Sequence, residues 1–404
     1  MVHSLLRWPL VGLVLALVLS ACGGGSPSAG TTTGIDSVAY RDSFAKAQAA
    51  SIEYDRAWND LARYLGGMEG LPGSLYNAEE RESAAVKHRK WFDEAMAKKE
   101  ERILRELRAF AAAELGDAYR DTTAVFYPFA SFDFLHVYHL YPEANRYVLF
   151  GLEPEGHAPD LKGLSPERRA LNLANVQQSL NDILPLSFSM TNDMKVELKN
   201  IEYDGTAPLL LAFLARTGME VLGVEHVKIT PQGTVAPSDK GVVQNPNDGV
   251  VTGIRVRFRA QGGAGRVREV LYFSQDASDN GLKERPEFVA YLTALAPARG
   301  FVKSASYLMH KDYFSKSRSA LLSTVTLLVQ DDSGVPFRFF TPTTWKLQGY
   351  GAYGPATRPI ALFSNWYQND LADFYQSTPI RPLPFGIGYR YQEGSSNWLI
   401  ARKR

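Results

Sequence analysis

The sequence predicts a mixed α/β or α+β protein, with an N-terminal helical segment followed by a larger mixed-sheet body. The chain has 404 residues and is 45% hydrophobic and 12% aromatic, a composition typical of a packed globular protein. Its early part carries apolar residues at helical spacing. From Asp121 onwards, short apolar runs alternate with helical patterns. Together these observations predict helices first and a sheet with helices after them.

The helical segment is predicted over residues 36–118. An apolar stripe at intervals of three or four residues opens it and ends at a pair of glycines. The stripe consists of Tyr54, Trp58, Leu61 and Leu65. From Asn77 to Leu115 the chain is rich in Ala, Glu, Lys and Arg, which are good helix formers. This stretch is long for one globular helix, so we expect a break between Asp93 and Lys99.

Residues 1–21 are predicted to be a secretory signal. Basic residues precede an uncharged run from Trp8 to Ala21, which is too short to span a bilayer. The run ends in Leu19-Ser20-Ala21-Cys22, which resembles the lipobox of bacterial lipoproteins. That resemblance implies lipidation at Cys22 and anchoring in the cell envelope, with the outer membrane favoured and the body in the periplasm. Residues 22–35, rich in Gly, Ser and Thr, are predicted to be a flexible lipid tether.

The composition excludes several kinds of binding and catalytic site. Basic and acidic residues number 44 and 43, so there is no basic excess for binding nucleic acid. Cys22 is the only cysteine. Once it is acylated, disulfides, cysteine-ligated metals and thiol catalysis are excluded, and we expect no cofactor. The sequence also lacks a GxSxG elbow, a P-loop and a CxxC motif, which disfavours standard hydrolases and NTPases.

The body, residues 119–404, contains two similar strand–helix–strand patterns. The first is predicted as a strand over 124–129, a helix over 132–141 and a strand over 147–152. The second is predicted as a strand over 304–309, a helix over 315–323 and a strand over 325–330. Either the unit is duplicated or a common motif occurs twice.

The second pattern supplies the candidate site. If its strands are parallel, their carboxyl ends share one edge of the sheet, where ligands bind in open α/β sheets. His310 and Asp331-Asp332 would lie there, suited to acid–base chemistry or metal binding, and Arg318 would hold an anion. The alternative is that both aspartates cap a turn and His310 is an ordinary loop residue. The equivalent edge of the first pattern carries Asp133 and Glu153, a weaker signal.

Several longer strings carry a resemblance over most of the mature chain. They are FYPFASFDFL, YVLFGLEPEG, KSASYLMH, QDDSGVPFRFF and PLPFGIGYR. They resemble a family of bacterial lipoprotein-like proteins, which implies an envelope protein and adds no chemistry. We therefore expect a lipid-anchored envelope protein that acts as a non-catalytic module binding an unknown protein or small molecule. The alternative is a hydrolase or metal-dependent enzyme built around His310, Asp331 and Asp332.

Overall fold

The computed structural model describes residues 55–188, 202, 204–238, 249–263, 265–355, 366–390 and 396–404. The predicted signal (1–21), the tether (22–35), the lipidation site Cys22 and the first part of the helical segment (36–54) lie outside the described residues. No helix of the described part is both long enough and apolar enough to cross a membrane. The predicted mixed α/β class is confirmed.

The N-terminal part of the described chain is helical, as predicted. Its helices are α1 (Arg56–Leu65), α2 (Ser83–Lys99), α3 (Arg105–Glu114) and α4 (Asp117–Arg120). The break expected between Asp93 and Lys99 does not occur, because α2 continues through Lys99 and a π-helical turn over Glu100–Leu104 joins it to α3. Phe110 of α3 packs its ring 5.4 Å from that of Trp398 in the sheet. The helical segment thus shares its core with the body.

Ten strands form one mixed sheet in the order β4-β3-β5-β6-β2-β1-β7-β8-β10-β9. The strands are β1 (Val125–Pro128), β2 (Arg146–Gly151), β3 (Met219–Ile229), β4 (Val235–Pro237), β5 (Thr252–Ala260), β6 (Arg268–Ser274), β7 (Ala298–Val302), β8 (Val325–Gln330), β9 (Trp345–Gly351) and β10 (Asn397–Lys403). The five central strands, from β6 to β8, are parallel, and the outer strands pair antiparallel.

Helices cover both faces of this sheet. They are α5 (Phe134–Leu140), α6 (Pro166–Leu180), α7 (Ile183–Leu186), α8 (Ala207–Arg216), α9 (Asp279–Glu284), α10 (Pro286–Ala294), α11 (Ser315–Thr324) and α12 (Asn369–Ser377). Adjacent residues of β1 serve opposite cores: Tyr127 packs with α5 and α8, and Phe126 packs with α10 and α11. Because side chains alternate along a strand, each central strand contributes to both cores.

The strand order reverses at β1. The chain moves outwards from β1 to β2 and β6, and then returns to the other side of β1 to form β7 and β8. Such a reversal opens a crevice at the carboxyl ends of the two strands between which it occurs, here β1 and β7. The first predicted unit exists as the parallel crossover β1-α5-β2. A second parallel crossover, β7-α11-β8, contains the predicted helix and last strand, but its first strand is not the predicted one.

One boundary was predicted wrongly. The first strand of the second unit is Ala298–Val302, and the predicted strand 304–309 is a loop followed by a 3₁₀ turn. Ser304, Ser306 and Tyr307 have φ values of 52°, 50° and 51°. A left-handed backbone cannot continue a strand, so the polar residues after Val302 belong to the carboxyl edge of the sheet.

Candidate functional site: a cleft at the strand-order reversal

A small cavity lies where β1 and β7 end, and we call it the switch-point cleft. Its volume is about 60 Å³. It is lined by Tyr127, Phe129, Ala130, Ser131, Asp133, Gly151, Leu152, Glu153, Ile183, Phe188, Lys303, Ser304, Ala305, Ser306 and Leu308. Leu152, at 48% exposure, marks the side open to solvent. Its position is the one at which doubly wound sheets bind ligands.

Unusual backbone geometry is concentrated around this cleft. Among the described residues, six that are not glycine have positive φ. They are Phe129, Ser131, Ser187, Ser304, Ser306 and Tyr307. Four of the six line the cleft, and the other two are next in sequence to residues that line it. Each such conformation costs about 1–3 kcal/mol, and such residues cluster at functional sites.

An ion pair lies at the base of the cleft. Lys303, just after β7, places its Nζ 3.0 Å from Oδ2 of Asp133, and both side chains are at most 3% exposed. Asp133 is the N-cap of α5 and also accepts a hydrogen bond of 2.9 Å from the hydroxyl of Tyr127. Burial alone would raise the pKa of Asp133, but His136 and Lys303 outweigh burial and hold that pKa well below its usual range.

His136 completes this cluster from the first turn of α5. Its Nδ1 lies 2.7 Å from Oδ1 of Asp133, and the ring is fully buried. Burial lowers the pKa of His136 to about 3, with Lys303 and Lys99 adding to the effect against Asp133. The imidazole is therefore neutral and donates from Nδ1. Its Nε2 has no hydrogen-bond partner within the described structure.

A second buried lysine approaches from the helical segment. Lys99 is 2% exposed, and its Nζ donates to the carbonyl of Ile183 at 3.1 Å and to the hydroxyl of Ser187. Lys303 donates to the backbone carbonyl of Ser187. Burial, reinforced by the charge of Lys303, lowers the pKa of Lys99 well below its usual range. The side chains of Lys99 and Lys303 thus fix Ser187, which has φ 68°, beside the cleft.

Two serine hydroxyls in the wall have unused hydrogen-bonding capacity. Ser131 Oγ and Ser304 Oγ are buried and have no partner in the part of the chain that the structure describes. Both residues have left-handed backbones and line the cleft. A buried hydroxyl without a partner is unfavourable, so such groups are expected where a ligand supplies the missing bond.

The opposite wall is acidic. Glu153 follows β2 and is 3% exposed, and the hydroxyl of Tyr272 lies 3.4 Å from its Oε2 and donates to its carbonyl at 2.8 Å. A Cβ on Gly151 would collide with this carboxylate and with the Tyr272 hydroxyl, so the glycine permits their close approach. The cleft therefore presents an ammonium, carboxylates and hydroxyls within one small volume.

The predicted residues Asp331 and Asp332 follow β8 at the same edge, and both are 4% exposed. Asp331 accepts the backbone N–H of Ser304 at 2.9 Å and that of Ser333 at 3.0 Å. Asp332 accepts the hydroxyl of Tyr307 at 2.8 Å and the Asn397 amide at 2.9 Å. Burial, followed by the neighbouring charge of Asp332, raises the pKa of Asp331 to about 6. Both carboxylates bind protein donors and lie outside the cleft lining.

The other two predicted residues sit close by in different surroundings. His310 contacts the backbone carbonyl of Asp332 at 3.2 Å, so its Nε2 donates there instead of meeting a carboxylate. Burial lowers the pKa of His310 to about 4. Arg318 donates to the carbonyl of Met309 at 2.5 Å and stacks 4.1 Å over the ring of Phe339. No group of three or more metal-ligating side chains exists among the described residues.

The sequence did not single out Lys303, Ser304 or Ser306, and it gave Asp133 less weight than His310, Asp331 and Asp332. The misplaced strand explains the first error, because a strand starting at Ser304 would put Lys303 at the amino end. The available signal was the polar run Lys303-Ser304 directly after the apolar Gly300–Val302. Asp133 and Glu153, which the sequence indicated only weakly, both line the cleft.

Comparison with protein-family models, with curated proteins and with solved structures gives no match to this chain.

Proposed function

We propose that this chain is a lipid-anchored envelope protein whose α/β body binds a small polar molecule in the switch-point cleft. The clustering of all six left-handed non-glycine residues of the described chain around this one cavity carries the proposal. Strained backbone persists only where the surrounding structure enforces it, and a ligand-binding wall is a common reason. The protein acts as a binding module, acylated at Cys22 and held at the outer membrane with its body in the periplasm.

The lining sets the class of ligand. A cavity of about 60 Å³ accommodates about four or five non-hydrogen atoms. The hydroxyls of Ser131 and Ser304 favour an accepting group, the charge of Lys303 is balanced by Asp133 beside it, and Glu153 favours a donor. A small molecule carrying both, such as an amino-acid zwitterion, matches this distribution of charge.

Glycine is the probe for this site. Acetate and methylammonium, which carry its carboxylate and its ammonium group separately, are tested beside it. Ligand-observed NMR with the mature protein in detergent micelles at pH 7.5 should show broadening of the glycine signal, and weaker broadening with either half. Ser304→Ala should weaken binding about fivefold to tenfold by removing one hydrogen bond. Ala130→Leu should abolish binding by filling the cavity.

Ser317→Ala is the matched control, because the Ser317 hydroxyl bonds to Ala277 and does not line the cleft. It should bind glycine as the wild type does. The absence of broadening for all three probes, or unchanged binding in a folded Ala130→Leu variant, would refute the proposed site.

Anchoring is tested separately. Cys22→Ser should release the protein from the membrane fraction or leave its signal uncleaved, because no thiol remains to be acylated. A serine variant that is processed and membrane-bound like the parent would contradict lipidation. Recovery of the parent in the inner-membrane fraction would contradict the outer-membrane assignment.

A further inference from the structure

The loop that follows β7 forms one wall of the cleft and is held from outside it. We call Lys303–Tyr307 the β7 loop. Asp331 binds it directly by accepting the Ser304 N–H at 2.9 Å. It binds the loop again through Ser333, whose hydroxyl donates to Asp331 and accepts the Ala305 N–H at 2.8 Å. Two consecutive amides of the loop therefore depend on one carboxylate.

Close packing fixes that carboxylate. Gly388 has φ 73°, and a Cβ there would collide with Oδ2 of Asp331. The next residue, Tyr389, receives the Ser306 N–H at 3.1 Å and donates its hydroxyl to the Ser304 carbonyl at 2.8 Å. The β7 loop is thus held between Asp331 and Tyr389, which accounts for its three left-handed residues.

Few charges face Asp331. Asp332 adjoins it on the β8 side, and Arg390 lies 3.4 Å from Asp332. Tyr127 of β1, Tyr307 of the β7 loop and Tyr389 interact electrostatically with Asp331. Burial raises the pKa of each of these phenols, so all three stay neutral between pH 5 and pH 8. Lys303, the cation of the β7 loop, is engaged by Asp133.

We propose that Asp331 is a positioning residue for the switch-point cleft, and that its protonation in mildly acidic medium loosens the β7 loop and lowers ligand affinity. The effect on ligand rests on the proposed function; the effect on the loop does not. An ionised carboxylate accepts stronger hydrogen bonds than a neutral one. Because three loop residues hold unfavourable conformations, weaker bonds shift the loop towards relaxed states. The donors of Ser304 and Ser333 lower the pKa of Asp331, so losing them while the carboxyl stays buried beside Asp332 raises that pKa further. Protonation therefore favours the relaxed loop over the held one, although it stabilises the fold as a whole against unfolding. Burial beside Asp332 raises the pKa of Asp331 to about 6, so we expect the loop to change in the pH range around that value.

Hydrogen exchange of the mature protein in micelles tests the loop. Protection factors, corrected for intrinsic exchange, are compared at pH 7.5 and pH 5 for a peptide covering 303–308. We expect about tenfold lower protection at pH 5 in the wild type. Asp331→Asn should give low protection at both pH values. Peptides from the antiparallel pair of β9 and β10 serve as the internal reference and should not change.

Ser333→Ala is the second variant, because it retains the carboxylate and removes only the bridge to Ala305. It should show reduced protection that still falls on acidification. Equal wild-type protection at both pH values, or an undiminished fall in Asp331→Asn, would overturn the positioning role.

Glycine binding separates the two proposals. We expect wild-type affinity to fall about tenfold from pH 7.5 to pH 5, and to change little in Asp331→Asn. A loop that loosens without any glycine binding at pH 7.5 would refute the proposed function and leave the positioning role intact. Glycine binding that is independent of pH in the wild type would refute the pH control.

Discussion

Two buried aspartates at the same edge of the sheet behave in opposite ways. Asp133, after β1, has its pKa held far below the usual range, whereas the pKa of Asp331, after β8, is raised to about 6. Both are essentially fully buried, so burial does not distinguish them. The difference is the neighbouring groups: His136 at 2.7 Å and the Lys303 ammonium at 3.0 Å lie beside Asp133, whereas a second carboxylate adjoins Asp331.

The comparison separates two roles. The pKa of Asp133 is held well below its usual range, so this carboxylate keeps its charge beside Lys303 in the cleft lining. Asp331 has its pKa raised to about 6 and contacts the cleft only through the Ser304 and Ala305 amides. Two carboxylates of similar burial thus differ at one site: Asp133 keeps its charge, and the charge of Asp331 changes with pH.

The largest expected effect on the free energy of unfolding comes from removing the Lys303 ammonium. Lys303→Met leaves Asp133 buried without its cation and should lower the free energy of unfolding by about 3–5 kcal/mol, measured by urea denaturation at pH 7.5. The double variant Lys303→Met, Asp133→Asn should recover much of that loss, because the unpaired charge is gone. Lys311→Met is the control, because Lys311 lies over the ring of Tyr313 and has no ion pair with any residue that the structure describes. A loss below 1 kcal/mol would mean that Asp133 does not need Lys303.

The second-largest expected effect is the pH dependence that Asp331 gives to the free energy of unfolding. Its pKa is raised on folding, so its contribution to stability is present below about pH 4 and is lost as the pH rises through about 6. A shift from 3.8 to about 6 corresponds to at most about 3 kcal/mol. The difference in unfolding free energy between wild type and Asp331→Asn should change by up to that amount between pH 4 and pH 7. A constant difference across this range would show an ordinary pKa for Asp331.

The smallest effect is expected at the cleft wall. Ser131→Ala should alter the melting temperature little or raise it slightly, because the hydroxyl has no partner within the described chain. Ser317→Ala should cost about 1 kcal/mol, since it removes a buried hydrogen bond to the Ala277 carbonyl. A larger loss at Ser131 than at Ser317 would mean that the Ser131 hydroxyl contributes to the fold and not to binding.

Local sequence patterns were sufficient to predict many of the helices and strands. The strand Val325–Gln330 was predicted to the residue, and the hydrophobic stripe at Trp58, Leu61 and Leu65 lies on an observed helix. Both follow from side-chain periodicity, which is a property of neighbouring residues. The strand predicted at 304–309 failed because backbone N–H groups of that segment donate to Asp331, Ser333 and Tyr389, which hold it in a left-handed loop.

The sequence by itself determined the mixed α/β class, the first strand–helix–strand unit and the last strand of the second, because periodicity and turn residues act over short distances. It also indicated the edge of the sheet that carries the polar residues. Only the tertiary structure decided which strands became neighbours, and this placed Lys303 against Asp133, 170 positions apart, and Lys99 against Ser187. A buried charge takes its properties from its nearest partners, and only folding brings those partners together.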